Sequence, residues 1–240
     1  MDRDISIDAY TQLADEYARL APTKPHNAHY DRPATLRLVG DVRGLDVLDC
    51  GTGTGEYAAA LIELGATVTG IDNCQAMLAH AARRAPAAKL IRASLDEPLP
   101  LPEGSFDAIV AGLVLDYVRD WDALFDEFRR VTRPGARVVF SVEHPASRWR
   151  MRAAKSYHAT ERQVIPWRGF GAETVQMVSW RRPLHAMLTP PLRAGFRLEQ
   201  LLEPLPTDAM RLSDPAHHAE LMREPGFMCL RLMRDTPALL

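Results

Sequence analysis

Apolar residues along this chain follow two alternating rhythms. Short continuous runs (VLDC, ATVTGI, KLIRA, FDAIVAGL and ARVVFSV) are separated by stretches in which apolar residues recur every three or four positions. The runs predict strands at residues 47–50, 66–71, 89–93, 106–113 and 136–142. Between them the helical period predicts helices at about residues 56–64, 75–84 and 121–131. Met77, Leu78 and Ala81 share a face of the second helix, which Pro86 stops. Leu124, Phe125, Phe128 and Val131 share a face of the third, which Arg-Pro-Gly ends. Strands this apolar, alternating with helices, imply a parallel sheet covered on both faces.

After residue 142 the rhythm breaks. Residues 144–182 show no clear period and hold three of the four tryptophans, as expected of a lid or binding insertion. A helix at 183–194, a strand at 195–202 and a last strand at 226–233 follow. The proline-rich piece between these strands, 203–225, is long enough to let the last one close the sheet antiparallel. Before the sheet, Tyr10, Leu13, Tyr17 and Leu20 lie at helical spacing. The expected organisation is one domain: cap helices to residue 44, a nucleotide-binding core at 45–142, an insertion at 143–182 and a closing segment at 183–240.

Composition narrows the function. Net charge is −2, which gives no general attraction to nucleic acid or acidic membranes. No apolar run approaches the ~20 residues of a membrane span, and the first residues carry acids where a secretory signal carries bases. Three scattered cysteines indicate neither a disulfide framework nor a metal site. The expected setting is soluble and cytoplasmic, without metal, as a monomer or homodimer.

Three glycines stand at alternate positions, Gly51, Gly53 and Gly55, between the first strand and the first helix. Glycine permits positive φ and close approach, and the helix N-terminus offers unpaired N–H groups, so such a loop holds nucleotides. A dinucleotide fingerprint starting at Gly51 needs Gly or Ala at position 56, where Glu56 stands instead. A carboxylate there opposes a pyrophosphate, and no Gly-Lys-Ser/Thr follows to make a phosphate loop. A sulfonium nucleoside with a zwitterionic tail is compatible with it. Asp72, ending the second strand, reads either as an acceptor for ribose hydroxyls or as the cap of the next helix. Asp49 reads either as a partner for the ligand's amino group or as a residue that orders the glycine turn.

With VLDCGTGTG, VTGIDNCQAMLAHAARR, LPLPEGSFDAIVAGLVLDYVRDW and FRRVTRPGARVVFSVEHP, the chain resembles the class I S-adenosylmethionine (SAM)-dependent methyltransferases, in particular the ubiquinone/menaquinone C-methyltransferase group. The likeness is strong over residues 45–145 and weaker at YDRP and near the C-terminus. It implies a Rossmann-like, doubly wound seven-stranded α/β sheet with the last strand antiparallel. It also implies SAM as cofactor and S-adenosylhomocysteine as product. Gly51 and Gly53 would face the methionine part of SAM, and Asp72 the ribose, while Asn73 and Met77 would flank adenine. Ser94 stands where relatives carry the acid that meets the adenine amino group, Asp96 is displaced by two, and Leu95 would pack on the ring. Asp116 replaces a histidine common in relatives, at the strand end facing the transferable methyl.

Methyl transfer requires an in-line, desolvated nucleophile, and a base only when the acceptor is a hydroxyl, an acidic carbon or a protonated amine. Asp116, Glu143, His144 and His158 are the base or orienting candidates, His144 and Asp116 foremost; each also reads as a loop or capping residue. Tyr17, Tyr30, Tyr157, His158 and Trp167 are candidates for the substrate pocket. Trp149, Phe170 and Trp180 join them as a wall or, alternatively, as cover for a sheet edge. Arg32 reads as a partner for the SAM carboxylate or for a protein acid. His217 and His218 are expected on an exposed loop. Residues 143–182 carry eight Lys/Arg against three Asp/Glu, which suits an anionic substrate or simply a solvated face. The expected partner is a small-molecule methyl acceptor. The competing readings are a non-catalytic SAM-binding sensor and a nicotinamide oxidoreductase.

Overall fold

The computed structural model describes residues 5–151, 156–170 and 173–236. Helix α1 (Ile5–Leu20) leads through a π turn at Asn27–Asp31 to α2 (Arg32–Val39). The alternating core follows as β1 (Asp46–Cys50), α3 (Glu56–Glu63), β2 (Thr67–Asp72), α4 (Gln75–Arg84), β3 (Lys89–Arg92), β4 (Phe106–Gly112), α5 (Trp121–Val131) and β5 (Thr132–Glu143). Next come α6 (Pro145–Met151), β6 (Glu161–Trp167), β7 (Val175–Arg181), α7 (Leu184–Arg193), β8 (Phe196–Leu202), α8 (Asp208–Ser213), α9 (Pro215–Leu221) and β9 (Phe227–Arg234).

Seven strands form one sheet in the order β3-β2-β1-β4-β5-β9-β8. The first five run parallel, and β9 enters antiparallel between β5 and β8. Successive residues in each strand face opposite sides. Leu48, Ile109, Phe140 and Leu230 therefore pack with α5 and α7 on one face, while Val47, Val110, Val139 and Cys229 pack with α2 and α3 on the other. Chain order reverses between β1 and β4, so their carboxyl ends diverge and open a crevice.

Three expectations change. The aperiodic 144–182 segment contains the β6/β7 hairpin, a second, two-stranded antiparallel sheet. Its strands do alternate inward and outward residues, but Arg, Gln and Pro among them blur the apolar signal. Arg-Pro-Gly lies inside β5 rather than before it: the β4–β5 register slips between Phe106 and Ala108, and Gly135 takes φ 80° at that irregularity, where a proline is tolerated. The 203–225 piece folds into α8 and α9, with Pro215 in the first turn of α9 and the Asp214 side chain accepting the His217 N–H.

Helix α1 is an amphipathic bridge. Ala14 packs with Cys74 and Met77 on α4, and Ala9 and Leu13 pack with Val175 and Met177 on β7. The Ser6 hydroxyl donates to the Val178 carbonyl and accepts the Val178 N–H. The crevice at the strand ends is thereby roofed.

Candidate active site

Roofing produces one continuous chamber of about 1080 Å³, running from the glycine loop to the inserted hairpin. That is slightly above the usual range for small-molecule sites, about 300–1,000 Å³.

The glycine loop forms one end. Gly51, Gly53 and Gly55 all have positive φ, at 67°, 54° and 88°. A Cβ on Gly51 would lie 2.4 Å from Val114 Cγ2, and one on Gly55 would lie 3.0 Å from the Ala81 backbone. A Cβ on Gly53 would meet nothing nearer than the Gly51 carbonyl at 3.9 Å, so this position presents bare backbone to the chamber. Glu56, at the start of α3, accepts from the Thr54 hydroxyl and pairs with Arg84. The acid that argues against a pyrophosphate is thus held by a guanidinium, which also donates to the Thr54 carbonyl and to Ala18 on α1.

Asp72 closes the second strand with both oxygens in use: Oδ2 accepts the Gly53 N–H at 2.9 Å and Oδ1 the Cys74 N–H at 2.8 Å. It lines the chamber, and burial pushes its carboxyl up. Asp49 is 1% exposed and stands behind the loop rather than among the residues lining the chamber. Its Oδ2 accepts from the Thr52 hydroxyl at 2.6 Å, whereas Oδ1 is buried without a partner. Burial, opposed by the Thr52 bond, pushes its carboxyl up to about 7. An orphaned buried acceptor beside bare glycine backbone fits a ligand that brings an ammonium group. Asn73, Met77, Ser94, Leu95 and Asp96 continue the same wall. The Ser94 hydroxyl accepts the Asp96 N–H and so turns into its own loop. Arg32 lines the chamber and donates one Nη2 bond to the Ala21 carbonyl.

A second part of the wall is aromatic, and it starts beside the glycine loop, where Tyr10 and Tyr17 also pack on Cys74 and Met77. Tyr10, Tyr17, Tyr117, Trp167 and Phe170 form a connected set of ring contacts, from 4.1 Å between Tyr17 and Phe170 to 6.3 Å between Tyr10 and Trp167. Tyr10 donates a hydrogen bond to Tyr117, and burial raises the pKa of both Tyr10 and Tyr17. Lys24 lies 4.1 Å over the Phe170 ring, and burial lowers its pKa. Asp116 and Glu143 also line the chamber near the ends of β4 and β5, with Asp116 Oδ2 accepting the Glu143 N–H at 2.9 Å.

Besides Asp49, the expected site residues Tyr30, His144, Tyr157 and His158 lie outside the chamber lining, as does Trp149. Tyr30 is buried, its hydroxyl accepting the N–H groups of Gly226 and Phe227 at the start of β9. His144 pairs with Glu203 at 2.9 Å. Tyr157 and Trp149 pack edge to face on each other, and His158 is exposed. His217, expected on a loop, sits on α9 at the chamber mouth, 4.9 Å from the His26 ring.

Sequence reasoning missed a buried acid beside Arg32. Asp31 is 1% exposed and accepts from the Tyr57 hydroxyl at 2.6 Å and from Thr35. The Tyr57 ring packs against Gly112, where a Cβ would come within 2.3 Å of it. The next residue, Leu113, takes φ 53°, its N–H bonded to the Ser141 carbonyl and hydroxyl. Non-glycine residues are held there only by surrounding contacts, and such positions cluster at functional sites. Nothing local in the sequence marks it.

Among the described residues no group of three or more His, Cys, Asp or Glu side chains is placed to hold a metal ion, and no helix is long and apolar enough to cross a membrane.

The parallel sheet, its switch-point crevice and the glycine loop define a nucleotide-binding α/β protein. A methyltransferase domain family matches residues 48–140. The chain is 34% identical over 161 residues to a demethylmenaquinone methyltransferase of Tropheryma whipplei, covering 65% of each chain. It is 30% identical over 141 residues to a malonyl-[acyl-carrier protein] O-methyltransferase of Yersinia pestis, covering 59% of this chain and 51% of that one. Less than two thirds of either relative is therefore spanned. A crystal structure of an S-adenosylmethionine-dependent methyltransferase from Mesorhizobium loti superposes with a TM-score of 0.69 at 28% identity, covering 89% of this chain and all of that one. Over residues 48–140 the chain thus matches a methyltransferase domain, and over most of its length it shares the fold of a SAM-dependent methyltransferase.

Proposed function

We propose that this protein transfers the methyl group of SAM to a small-molecule acceptor and releases S-adenosylhomocysteine. The observation that carries the reading is the continuity of the chamber: glycine loop, aromatic rings, Asp116 and Glu143 line one roofed space. Bound SAM supplies an electrophilic methyl on a sulfonium.

The chain's own residues supply position and dryness. Bare backbone at Gly51 and Gly53 accepts the amino acid end, backed by Asp49 behind the loop, while Asp31 offers a carboxylate to its ammonium and Arg32 a guanidinium to its carboxylate. Asp72 accepts from the ribose, while Asn73, Met77, Ser94 and Leu95 enclose the adenine. Tyr17 and Trp167, with the other rings, wall the acceptor and exclude water. Exclusion of water favours a step that neutralises charge. Asp116, its orientation set by the Glu143 N–H, is the carboxylate placed to orient the acceptor or take its proton.

Incubation with methyl-labelled SAM and a cell extract, followed by mass spectrometry, tests this reading. A labelled small molecule forms with the native chain, and Asp72→Ala lowers SAM affinity by at least about tenfold, the worth of a charge-assisted hydrogen bond, by calorimetry. Binding of S-adenosylhomocysteine with no labelled product across a broad metabolite panel would favour a sensor instead.

A further inference from the structure

The residue that ends the inserted segment reaches across to the cofactor half. Arg182 is 3% exposed, and its Nη2 donates to the Val118 carbonyl at 2.6 Å and the Arg119 carbonyl at 2.8 Å. Its guanidinium lies 4.8 Å over the Trp121 ring, which is itself anchored by Nε1 donating to the Leu115 carbonyl. One planar cation therefore clamps two successive peptide units, a task for which an ammonium point charge is poorly shaped. The clamped turn is part of the chamber wall. Its Arg119 N–H donates at 2.8 Å to Oδ1 of Asp96, in the loop that follows β3.

We propose that Arg182 is a positioning residue for cofactor recognition. By fixing the 118–119 peptide units it presents the Arg119 N–H to Asp96 Oδ1, and so aims the second Asp96 oxygen at the exocyclic amino group of the adenine. This rests on the methyltransferase reading above. The Ser94 hydroxyl accepts the Asp96 N–H within its own loop and so holds Asp96 in place beside the wall. The insertion that shapes the acceptor pocket thus also sets purine selectivity. A carboxylate accepts from the amino group of adenine and repels the carbonyl oxygen of hypoxanthine, so the two bases report the aim of Asp96.

The experiment is calorimetric titration of the full chain with S-adenosylhomocysteine and S-inosylhomocysteine. The native chain prefers the adenosyl compound by about tenfold or more, the worth of one hydrogen bond to a charged group. Arg182→Gln brings that ratio to within about threefold, and Arg182→Lys leaves it in between. Asp96→Ala abolishes the preference and makes Arg182→Gln silent towards it. Arg119→Ala keeps the preference, because only its backbone N–H is used. Equal weakening of both ligands by Arg182→Gln, with the ratio intact, overturns the proposal, as does a native chain without preference. Should Arg182→Gln fail to fold, Arg182→Lys carries the same comparison. A native chain that binds neither compound overturns the methyltransferase reading itself.

Discussion

At the glycine loop the chamber wall is backbone; across the chamber, at the hairpin, it is side chain. The first wall stands on the ends of β1, β2 and β4, whose register is fixed by parallel pairing on both sides of β1. The second gathers rings from α1, the turn after β4, and the β6/β7 hairpin with the turn that leaves β6. Backbone cannot be exchanged by mutation, whereas a ring can. The contrast suggests one half built for an invariant ligand and the other for a particular one.

The largest effect is expected where backbone and packing coincide. Gly51→Ala combines a left-handed φ with a Cβ driven into Val114, and should cost about 3 kcal/mol or more in denaturant titration. Gly53→Ala meets open space and should cost only about 1 kcal/mol of stability, while weakening S-adenosylhomocysteine binding by calorimetry. Equal stability losses at the two glycines would break the proposed division of labour.

Asp49 gives the next effect. Its folded pKa, about 7, lies above the ordinary 3.8, so between these values the folded chain keeps a proton that the unfolded chain has lost. Stability from this group is therefore full below pH ~4 and falls as pH rises to ~7, by up to about 4 kcal/mol. Asp49→Asn should flatten that slope relative to the native chain in urea titrations at pH 4.5 and 7.5, set at about the two ends of the window. An unchanged difference between the two pH values would show that the carboxyl does not titrate there.

On the acceptor side, Phe170→Ala removes a ring that touches Tyr17, Trp167 and Lys24. Labelled-product formation should fall by about tenfold, with S-adenosylhomocysteine affinity held within about threefold, since a lost wall group is worth roughly 1–3 kcal/mol. Loss of both together would merge the two halves. The smallest effect belongs to His144→Ala, which removes a contact to a half-exposed glutamate and an acceptor for the Ala146 N–H. It should cost at most about 1 kcal/mol and leave product formation unaltered.

The alternation of apolar runs and helical periods, the glycine loop and the acid ending β2 were legible because each is a local pattern with a local physical cause. Gln75–Arg84 and Trp121–Val131 fall where the apolar period places them. The β6/β7 hairpin escaped because its inward residues are interleaved with Arg162, Gln163 and Pro166, so the period of two carries little hydrophobic contrast. Helices α8 and α9 were hidden by prolines, although Pro215 behind Asp214 was a readable start signal. The sequence by itself determined the sheet and the glycine loop at its switch point. Tertiary structure alone decided that Tyr10 meets Tyr117, that Arg182 clamps the turn before α5, and that His144, Tyr30, Tyr157 and His158 stand off the chamber. Such pairings join residues dozens of positions apart, and only the completed packing of α1, hairpin and sheet brings them within bonding distance.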